Sequence, residues 1–187
     1  DGQVYALGDL GVLPGHDSGY AASINESGQI AGWSGRSMTN DIRGVIWQQG
    51  TIIDLGDLPG GLDWSLAEGI NNAGEVAGDS GAATGTRGFF WQRGTMADLG
   101  IVPGGQDVSS ARDINDRGQI VGEEGPGPFL WENGVMTNLE TLPGSSGQGI
   151  AFAINNQGQA VGSSWFANNI VRAVLWHNGT VTDLGDL

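Results

Sequence analysis

The sequence has no cysteine and no lysine. The missing cysteine excludes disulfide bonds and thiolate chemistry, whether catalytic or metal-binding. All seven basic residues are arginine, against 21 acidic ones, which gives a formal net charge of −14. An acidic surface repels phosphate, so we expect neither nucleic-acid binding nor docking on anionic membranes. No apolar run approaches the length that spans a bilayer, so we expect no membrane insertion.

Glycine, by contrast, is abundant, with 35 residues. In a random arrangement this composition is typical of disorder, but here the glycines recur in fixed contexts and are interpreted as turn residues. Lysine depletion together with an acidic excess favours a secreted or salt-adapted protein.

Four segments share one skeleton: L/V-P-G, then A-x-x-I-N-x-x-G, then hydrophobic-x-G, W-x-x-G and D-L-G. Equivalent Ile-Asn pairs are separated by 40 to 46 residues, so the repeating unit is about 45 residues long. The pairs begin at Ile24, Ile70, Ile114 and Ile154. Repeats of this length with four short strands are typical of propeller blades.

Each unit predicts four antiparallel strands, which we call A, B, C and D. N-x-x-G joins A to B and W-x-x-G joins C to D, and both are hairpin turn patterns. No stretch repeats at helical spacing, so we expect an all-β, four-bladed β-propeller, with an open repeat array or part of a larger ring as the alternative. The expected blades span 12–55, 56–99, 100–139 and 140–187 within one repeat domain. A fifth D-like strand at 3–10 would allow the ring to be closed by strands from the two termini, or would leave one spare.

The motifs "DLGDLPGG" (54–61), "ARDINDRGQIVG" (111–122) and "FLWENGVMTNL" (129–139) resemble the HAF-repeat family of extracellular repeats, and the resemblance covers practically the whole chain. The His-Ala-Phe that names the family is replaced, for example by Arg43-Gly44-Val45. The resemblance implies an extracellular or cell-surface location and a propeller-like β architecture. It implies no ligand, reaction or functional residue.

Because successive antiparallel strands alternate in direction, the A–B and C–D turns lie at one end of every blade. The B–C and D–A connections, which contain every long or variable segment, lie at the other end, which we call the loop face. Binding residues are concentrated on such loops. Aromatic rings there would stack on sugars, and carboxylates would accept hydrogen bonds from hydroxyl groups. The candidate ligand-binding residues are Trp33, Trp64, Trp165, Asp63, Asp79, Asp107 and Glu123. Filling of gaps between unequal loops is the alternative role for the three tryptophans.

Four further tryptophans recur in every unit, and we expect them to be structural core residues: Trp47, Trp91, Trp131 and Trp176. The D-L-G carboxylates offer one equivalent oxygen donor per blade, so a ring of them around an axial tunnel would attract a calcium or sodium ion. They are Asp9, Asp54, Asp98 and Asp183. The alternative is that each aspartate accepts backbone N–H bonds from the turn that follows it. No cofactor is required by any motif.

Catalytic patterns are lacking, so we expect no enzyme. The two histidines, His16 and His177, fall at opposite ends of the blades, and no segment matches a nucleophile elbow or a zinc site. The first hypothesis is a secreted, non-catalytic binding module for a glycan. The second is a structural protein that self-associates through the spare terminal strand, and a hydrolase with an unidentified carboxylate pair comes third.

Overall fold

A computed structural model describes residues 8–102 and 105–185 of the chain. These residues contain sixteen strands and one 3-10 turn, Ala167–Asn169 (η1). The strands are β1 (Ser18–Ile24), β2 (Ile30–Gly35), β3 (Ile42–Gln48), β4 (Thr51–Asp54), β5 (Ser65–Ile70), β6 (Val76–Ala82), β7 (Gly85–Gln92), β8 (Thr95–Asp98), β9 (Ser109–Ile114), β10 (Ile120–Glu124), β11 (Gly127–Glu132), β12 (Val135–Asn138), β13 (Gln148–Ile154), β14 (Ala160–Trp165), β15 (Val171–His177) and β16 (Thr180–Asp183).

The strands form four antiparallel sheets, each made of four consecutive strands: β1–β4, β5–β8, β9–β12 and β13–β16. Sheet order follows chain order, so each sheet is one blade with strands A to D from one edge to the other. The predicted all-β class with four four-stranded blades is confirmed. Residues 3–7 of the fifth predicted strand lie outside the described residues, and residues 8–10 are not in a strand.

The turn residues act as their types predict. In the C–D turn of the first blade, Gln49 and Gly50 both adopt positive φ, 48° and 77°. Two successive residues with positive φ define the turn whose twist matches that of a hairpin. In the A–B turn, the Asn25 side-chain oxygen accepts the N–H groups of Ser27 and Gln29. The same two patterns recur in the other three blades.

Consecutive blades pack face to face, and their A strands lie side by side at the centre of the molecule. We call the side of a blade that meets the preceding blade its leading face, and the opposite side its trailing face. Between the second and third blades, Ala77 and Phe90 of one trailing face meet Ala111, Ile114 and Phe129 of the next leading face. Two equivalent apolar clusters join the first blade to the second and the third to the fourth.

Within the described residues, the blades are joined one after another, and each sheet is made of consecutive strands. Extensive contacts between strands of different blades link the first to the second, the second to the third and the third to the fourth. No strand of the fourth blade packs extensively on the first within 8–102 and 105–185. The expected closure by a terminal strand is not found in these ranges, because the first and fourth sheets each obtain all four strands from their own part of the chain.

Candidate functional site

A cleft of about 770 Å³ opens on the loop face between the first and second blades. One wall is the B–C connection of the first blade, and the other is the D–A connection of the second. The cleft is lined by Asn40, Asp41, Ile42, Arg43, Leu62, Asp63, Trp64 and Leu66. Its volume is in the range typical of small-molecule sites.

The second wall is held close to strand β6 by glycines. A Cβ atom on Gly81 would lie 2.6 Å from both the Leu62 carbonyl oxygen and Trp64 Nε1. A Cβ atom on Gly61 would lie 2.0 Å from the carbonyl oxygen of Gly81. The Trp64 carbonyl oxygen accepts hydrogen bonds from the Gly81 N–H, at 3.0 Å, and from Ser80 Oγ, at 3.1 Å. Only glycine permits this approach, so the local sequence fixes the backbone of Trp64 beside the cleft.

The cleft combines an apolar wall with a charged rim. Ile42, Leu62, Trp64 and Leu66 supply the apolar surface, and Leu62 is strongly exposed. Arg43 forms an ion pair with Asp57, which sits in the D–A connection behind the cleft.

A second contact between loops orders the same wall of the cleft at Asp41. Asp41 Oδ1 lies 3.5 Å from Nε2 of His16, a buried side chain whose other ring nitrogen is 2.9 Å from Ser34 Oγ. Asp41 is therefore held by the first blade, whereas Asp63 is exposed and makes no ion pair in the described part of the chain.

A second aromatic surface borders the cleft. The rings of Tyr20 and Trp33 stack with their centroids 6.2 Å apart and an interplanar angle of 21°. A Cβ atom on Gly35 would lie 3.3 Å from the Trp33 ring and 3.4 Å from Ile42 Cγ1, so the Trp33 ring adjoins the cleft wall at Ile42. Of the seven predicted ligand-binding residues, the structure thus brings Asp63 and Trp64 into one cleft and places Trp33 next to it.

Three of the predicted residues lie at other places on the structure. Trp165 ends β14 in the fourth blade, is partly exposed, and donates its indole N–H to Ser163 Oγ at 2.9 Å. Asp107 forms an ion pair with Arg87. Glu123 accepts a hydrogen bond from Arg112 Nη2 at 2.7 Å. None of these three lines the cleft.

The placement of Asp79 on a ligand-binding surface is wrong. Its side chain is buried between the second and third blades, where it accepts hydrogen bonds from Ser110 Oγ at 2.5 Å and the Ala111 N–H at 2.9 Å. Burial raises the pKa of Asp79 to about 6, against the lowering effect of the bonds from Ser110 and Ala111. Asp79 therefore joins two blades and faces no ligand.

The axial placement of the D-L-G carboxylates is also wrong. The D strands are the outermost strands of their sheets, because the A strands occupy the centre. Each aspartate instead accepts the backbone N–H of the glycine two residues later, at 2.7–2.9 Å, as the alternative interpretation states. The residues are Asp9, Asp54, Asp98 and Asp183. Among the residues described, no group of three or more His, Cys, Asp or Glu side chains is placed to hold a metal ion.

Three of the four recurring tryptophans are buried: Trp47, Trp91 and Trp176. The fourth, Trp131, packs on the cluster between the second and third blades, with its ring centroid 5.6 Å from that of Phe90. Two of the indole N–H groups donate to backbone oxygens of the preceding linker, Trp47 to Gly11 and Trp176 to Glu140. Trp91, Trp131 and Trp176 pack between blades, whereas Trp47 is buried on the leading face of the first blade beside the linker at Gly11.

The opposite end of the molecule carries an axial depression of about 420 Å³, lined by the N-x-x-G turns of all four blades. Here each blade is hydrogen-bonded to the next. Asn25, Asn71 and Asn115 donate Nδ2–H to the backbone oxygens of Asn71, Asn115 and Asn155, at 2.9–3.0 Å. We call this series the asparagine ladder. Its polar groups bind one another, so this depression is a structural feature more than a ligand site.

Sequence reasoning missed the apolar and basic members of the cleft. No sequence pattern marks these residues as ligand-binding, because isolated apolar residues and arginines are common in strands and loops. They are Ile42, Arg43, Leu62 and Leu66. The available signal was positional. Residues 40–43 lie at or next to the B–C connection of the first blade, and Leu62 lies next to Asp63 and Trp64.

No protein-family model matches the chain, and no curated protein matches it. The resemblance to HAF repeats therefore stays a prediction. None of the described helices is long and apolar enough to cross a membrane.

Among solved structures, the chain is similar to TolB from Acinetobacter baumannii, a protein that contains a β-propeller. The TM-score is 0.63 at 12% sequence identity, and the match covers 90% of this chain and 43% of that one. The chain thus spans less than half the length of the structure it matches. At this identity the likeness concerns the fold alone, and it agrees with the four-bladed β-propeller architecture.

Proposed function

We propose that this protein is a non-catalytic binding module that takes carbohydrate in the loop-face cleft between its first two blades. The observation that carries the proposal is the cleft itself, where Trp64 and Leu62 lie beside Asp63 and Asn40. A flat indole surface next to hydrogen-bonding side chains suits a sugar, whose ring is apolar on its faces and bears hydroxyl groups at its edge.

Each group has a defined role in this proposal. Trp64 provides the stacking surface, and its backbone is fixed to β6 by two hydrogen bonds, so little conformational entropy is lost when the ligand binds. Asp63 accepts hydrogen bonds from the hydroxyl groups of the sugar, and Asn40 both accepts and donates them. Arg43 is already paired with Asp57, so it shapes the wall without adding a free positive charge.

The Tyr20–Trp33 pair extends the proposed surface. It borders the cleft at Ile42, and Tyr20 is largely exposed. A ligand longer than one sugar ring would rest on this pair while its first ring occupies the cleft. We therefore propose an oligosaccharide and not a monosaccharide as the ligand class.

We also propose that the protein acts outside the cell or at its surface. The support is the acidic, lysine-free composition and the resemblance to HAF repeats, together with a ligand class that is abundant there. Burial raises the pKa of four carboxyl groups, and none of them lines the cleft: Glu68, Asp79, Asp113 and Glu124. This distribution favours binding over hydrolysis.

The test is a glycan array probed with the labelled chain, followed by calorimetric titration of the best oligosaccharide. Trp64→Ala should weaken binding at least tenfold, which corresponds to about 1.4 kcal/mol. Trp165→Ala is the matched control, because it removes another partly exposed loop-face tryptophan outside the cleft, and it should leave the affinity unchanged.

Intrinsic fluorescence gives an independent measurement. Saturating oligosaccharide should change the emission of the wild type and of Trp165→Ala equally, and the change should be smaller in Trp64→Ala, where Trp33 is the tryptophan left beside the ligand. The proposal fails if no glycan binds, or if Trp165→Ala weakens binding while Trp64→Ala does not. Near-ultraviolet circular dichroism should show that both variants remain folded.

A further inference from the structure

Consecutive blades meet at three interfaces, which we call joints, and equivalent positions of the repeat are buried at each of them. On the trailing faces, Ala31, Ala77 and Val121 are 0% exposed. On the leading faces that meet them, the isoleucines of the Ile-Asn pairs are 4–8% exposed: Ile70, Ile114 and Ile154. One interface is therefore built three times within the chain, always with the trailing face of one blade against the leading face of the next.

The same positions are open at the two ends of the array. Ile24, on the leading face of the first blade, is 66% exposed, and Val161, on the trailing face of the fourth, is 41% exposed. By strand alternation Val171 shares the trailing side with Leu175, the equivalent of the buried Ile46, and Val171 is exposed as well. Each end of the array thus leaves part of this interface open, at Ile24 on one end and at Val161 and Val171 on the other, while Val45 and Trp47 on the first leading face are already buried.

The asparagine ladder has the same two open ends. Asn25, Asn71 and Asn115 each donate to the backbone oxygen of the next blade, and Asn155 is the last member in the described part of the chain. Asn155 Nδ2 donates to Gln159 within its own turn, as the other three do to the residues at that position. The inter-blade bond that the first three members add is the one that the fourth does not make within the described residues.

We propose that the trailing face of the fourth blade docks on the leading face of the first blade of a second copy of this chain. Val161 would then be covered as Ala31, Ala77 and Val121 are, and Ile24 as the other three isoleucines are. Asn155 would donate to the backbone oxygen of Asn25 and extend the ladder by one step. A second copy fits because the joint continues an interface that already exists between blades of this same repeat.

The joint has a direction, since a trailing face complements a leading face and not another trailing face. Contacts of this kind are heterologous, so they repeat until a ring closes or a filament forms. The leucines of the linkers between blades also differ between the internal joints and the two ends of the array. Leu55 and Leu99, which follow the D strands at internal joints, are 5% exposed, whereas their equivalents Leu10 and Leu184 are 42% and 55% exposed. Each internal joint holds one such leucine, so a joint between two copies would bury Leu184 of one copy or Leu10 of the next.

Charge should control the strength of this association. Each copy carries a formal net charge of −14, so two copies repel each other at low ionic strength. Salt screens this repulsion within about 10 Å at 0.1 M, while the apolar joint is unaffected. Association should therefore strengthen between 20 mM and 500 mM sodium chloride, opposite to the behaviour of an assembly held by ion pairs.

The experiment is sedimentation equilibrium of the 187-residue chain at several concentrations and salt concentrations, with three variants. Ile24→Asp blocks the leading end and Val161→Asp blocks the trailing end. Both positions are exposed, so the variants should keep the thermal midpoint of the wild type. Met38→Asp changes an exposed apolar residue in the B–C connection of the first blade, outside the strands that form the two end faces, and is the matched control.

We expect the wild type and Met38→Asp to associate in a concentration-dependent way, and each end variant alone to lose at least tenfold in association constant. Mixing Ile24→Asp with Val161→Asp should restore association, because one intact trailing face then meets one intact leading face. A monomeric wild type at all concentrations overturns the proposal. So does a mixture that associates no better than its components, or an end variant that self-associates like the wild type.

Discussion

Replacing Asp79 by asparagine should change how the stability of the protein depends on pH. Asp79 is 6% exposed between the second and third blades, and burial raises its pKa from 3.8 to about 6. A carboxyl group that titrates at a higher pH in the folded state holds its proton more tightly there than in the unfolded chain. Protonation of Asp79 therefore stabilises the fold, and ionisation destabilises it.

The direction and size of the change in the free energy of unfolding follow from the two pKa values of Asp79. Below pH 3.8 the group is protonated in both states, so its contribution does not depend on pH. Between pH 3.8 and about 6 the unfolded chain releases the proton and the folded protein keeps it, so the free energy of unfolding falls as the pH rises. Above this window both states are ionised, and the loss levels off at about 3 kcal/mol, from 1.36 kcal/mol for each pH unit.

The assay is urea denaturation of the wild type and Asp79→Asn from pH 3.5 to pH 7.5. The difference between their free energies of unfolding should change by about 3 kcal/mol across the window, in favour of the variant at high pH. Any constant offset from altered hydrogen bonding cancels in this comparison. Asp63→Asn, which removes an exposed carboxylate, controls for the change in net charge. Parallel profiles for the wild type and Asp79→Asn would refute the reasoning.

Three further changes test the packing of the blades and the cleft. Asn71→Ala removes one bond of the asparagine ladder and three bonds within its turn, and should lower the free energy of unfolding in urea denaturation by about 2–3 kcal/mol. Asn155→Ala should lower it by less, because the Asn155 side chain makes no bond to another blade in the described part of the chain. Phe89→Ala opens a cavity at a fully buried position between the first two blades, and should cost about 3–5 kcal/mol in the same assay. Gly81→Ala places a Cβ atom 2.6 Å from Leu62 and Trp64, so it should displace the cleft wall and weaken oligosaccharide binding in calorimetry, whereas Gly127→Ala, with its nearest atom at 3.7 Å, should not. Equal effects of the two asparagine or the two glycine changes, or a Phe89→Ala variant as stable as the wild type, would contradict these expectations.

The repeat pattern predicted the blades well because its information is local. The N-x-x-G and W-x-x-G turns need glycine in the left-handed region, and the structure has it there, as at Gly28 and Gly50. Four equal sets of turn residues at regular spacing leave little choice of topology, so the order A to D within each sheet could be predicted without any knowledge of tertiary contacts.

The radial position of each strand could not be predicted in the same way. Strands A and D both sit at sheet edges, and nothing in the local pattern says which edge faces the centre. For this reason Asp54 and its equivalents were placed on the axis, whereas they lie on the outer strands. The answer depends on how neighbouring blades pack, which is set by apolar residues such as Ile70 and Phe89 acting together.

Residues that break the repeat were the hardest to interpret. Trp33, Asp79, Glu123 and Ser163 occupy one equivalent position in the four B strands, so side chains of opposite character share one backbone site. The sequence marks such a position as variable, but the environment of each side chain comes from the next blade. Asp79 meets Ser110 and is buried, whereas Trp33 stacks on Tyr20 at the edge of the cleft.

Each blade is one continuous segment of the chain, and this affects both the synthesis and the evolution of the protein. All contacts within a blade join residues of one segment of about 45 residues, so its strands can pair without distant parts of the chain. Each finished blade then offers a template on which the next one orders, and stability grows roughly by one unit and one joint at a time. Duplication or deletion of about 45 residues in the gene would lengthen or shorten the array without threading or re-pairing any strand, so the number of blades can vary while each blade keeps its structure.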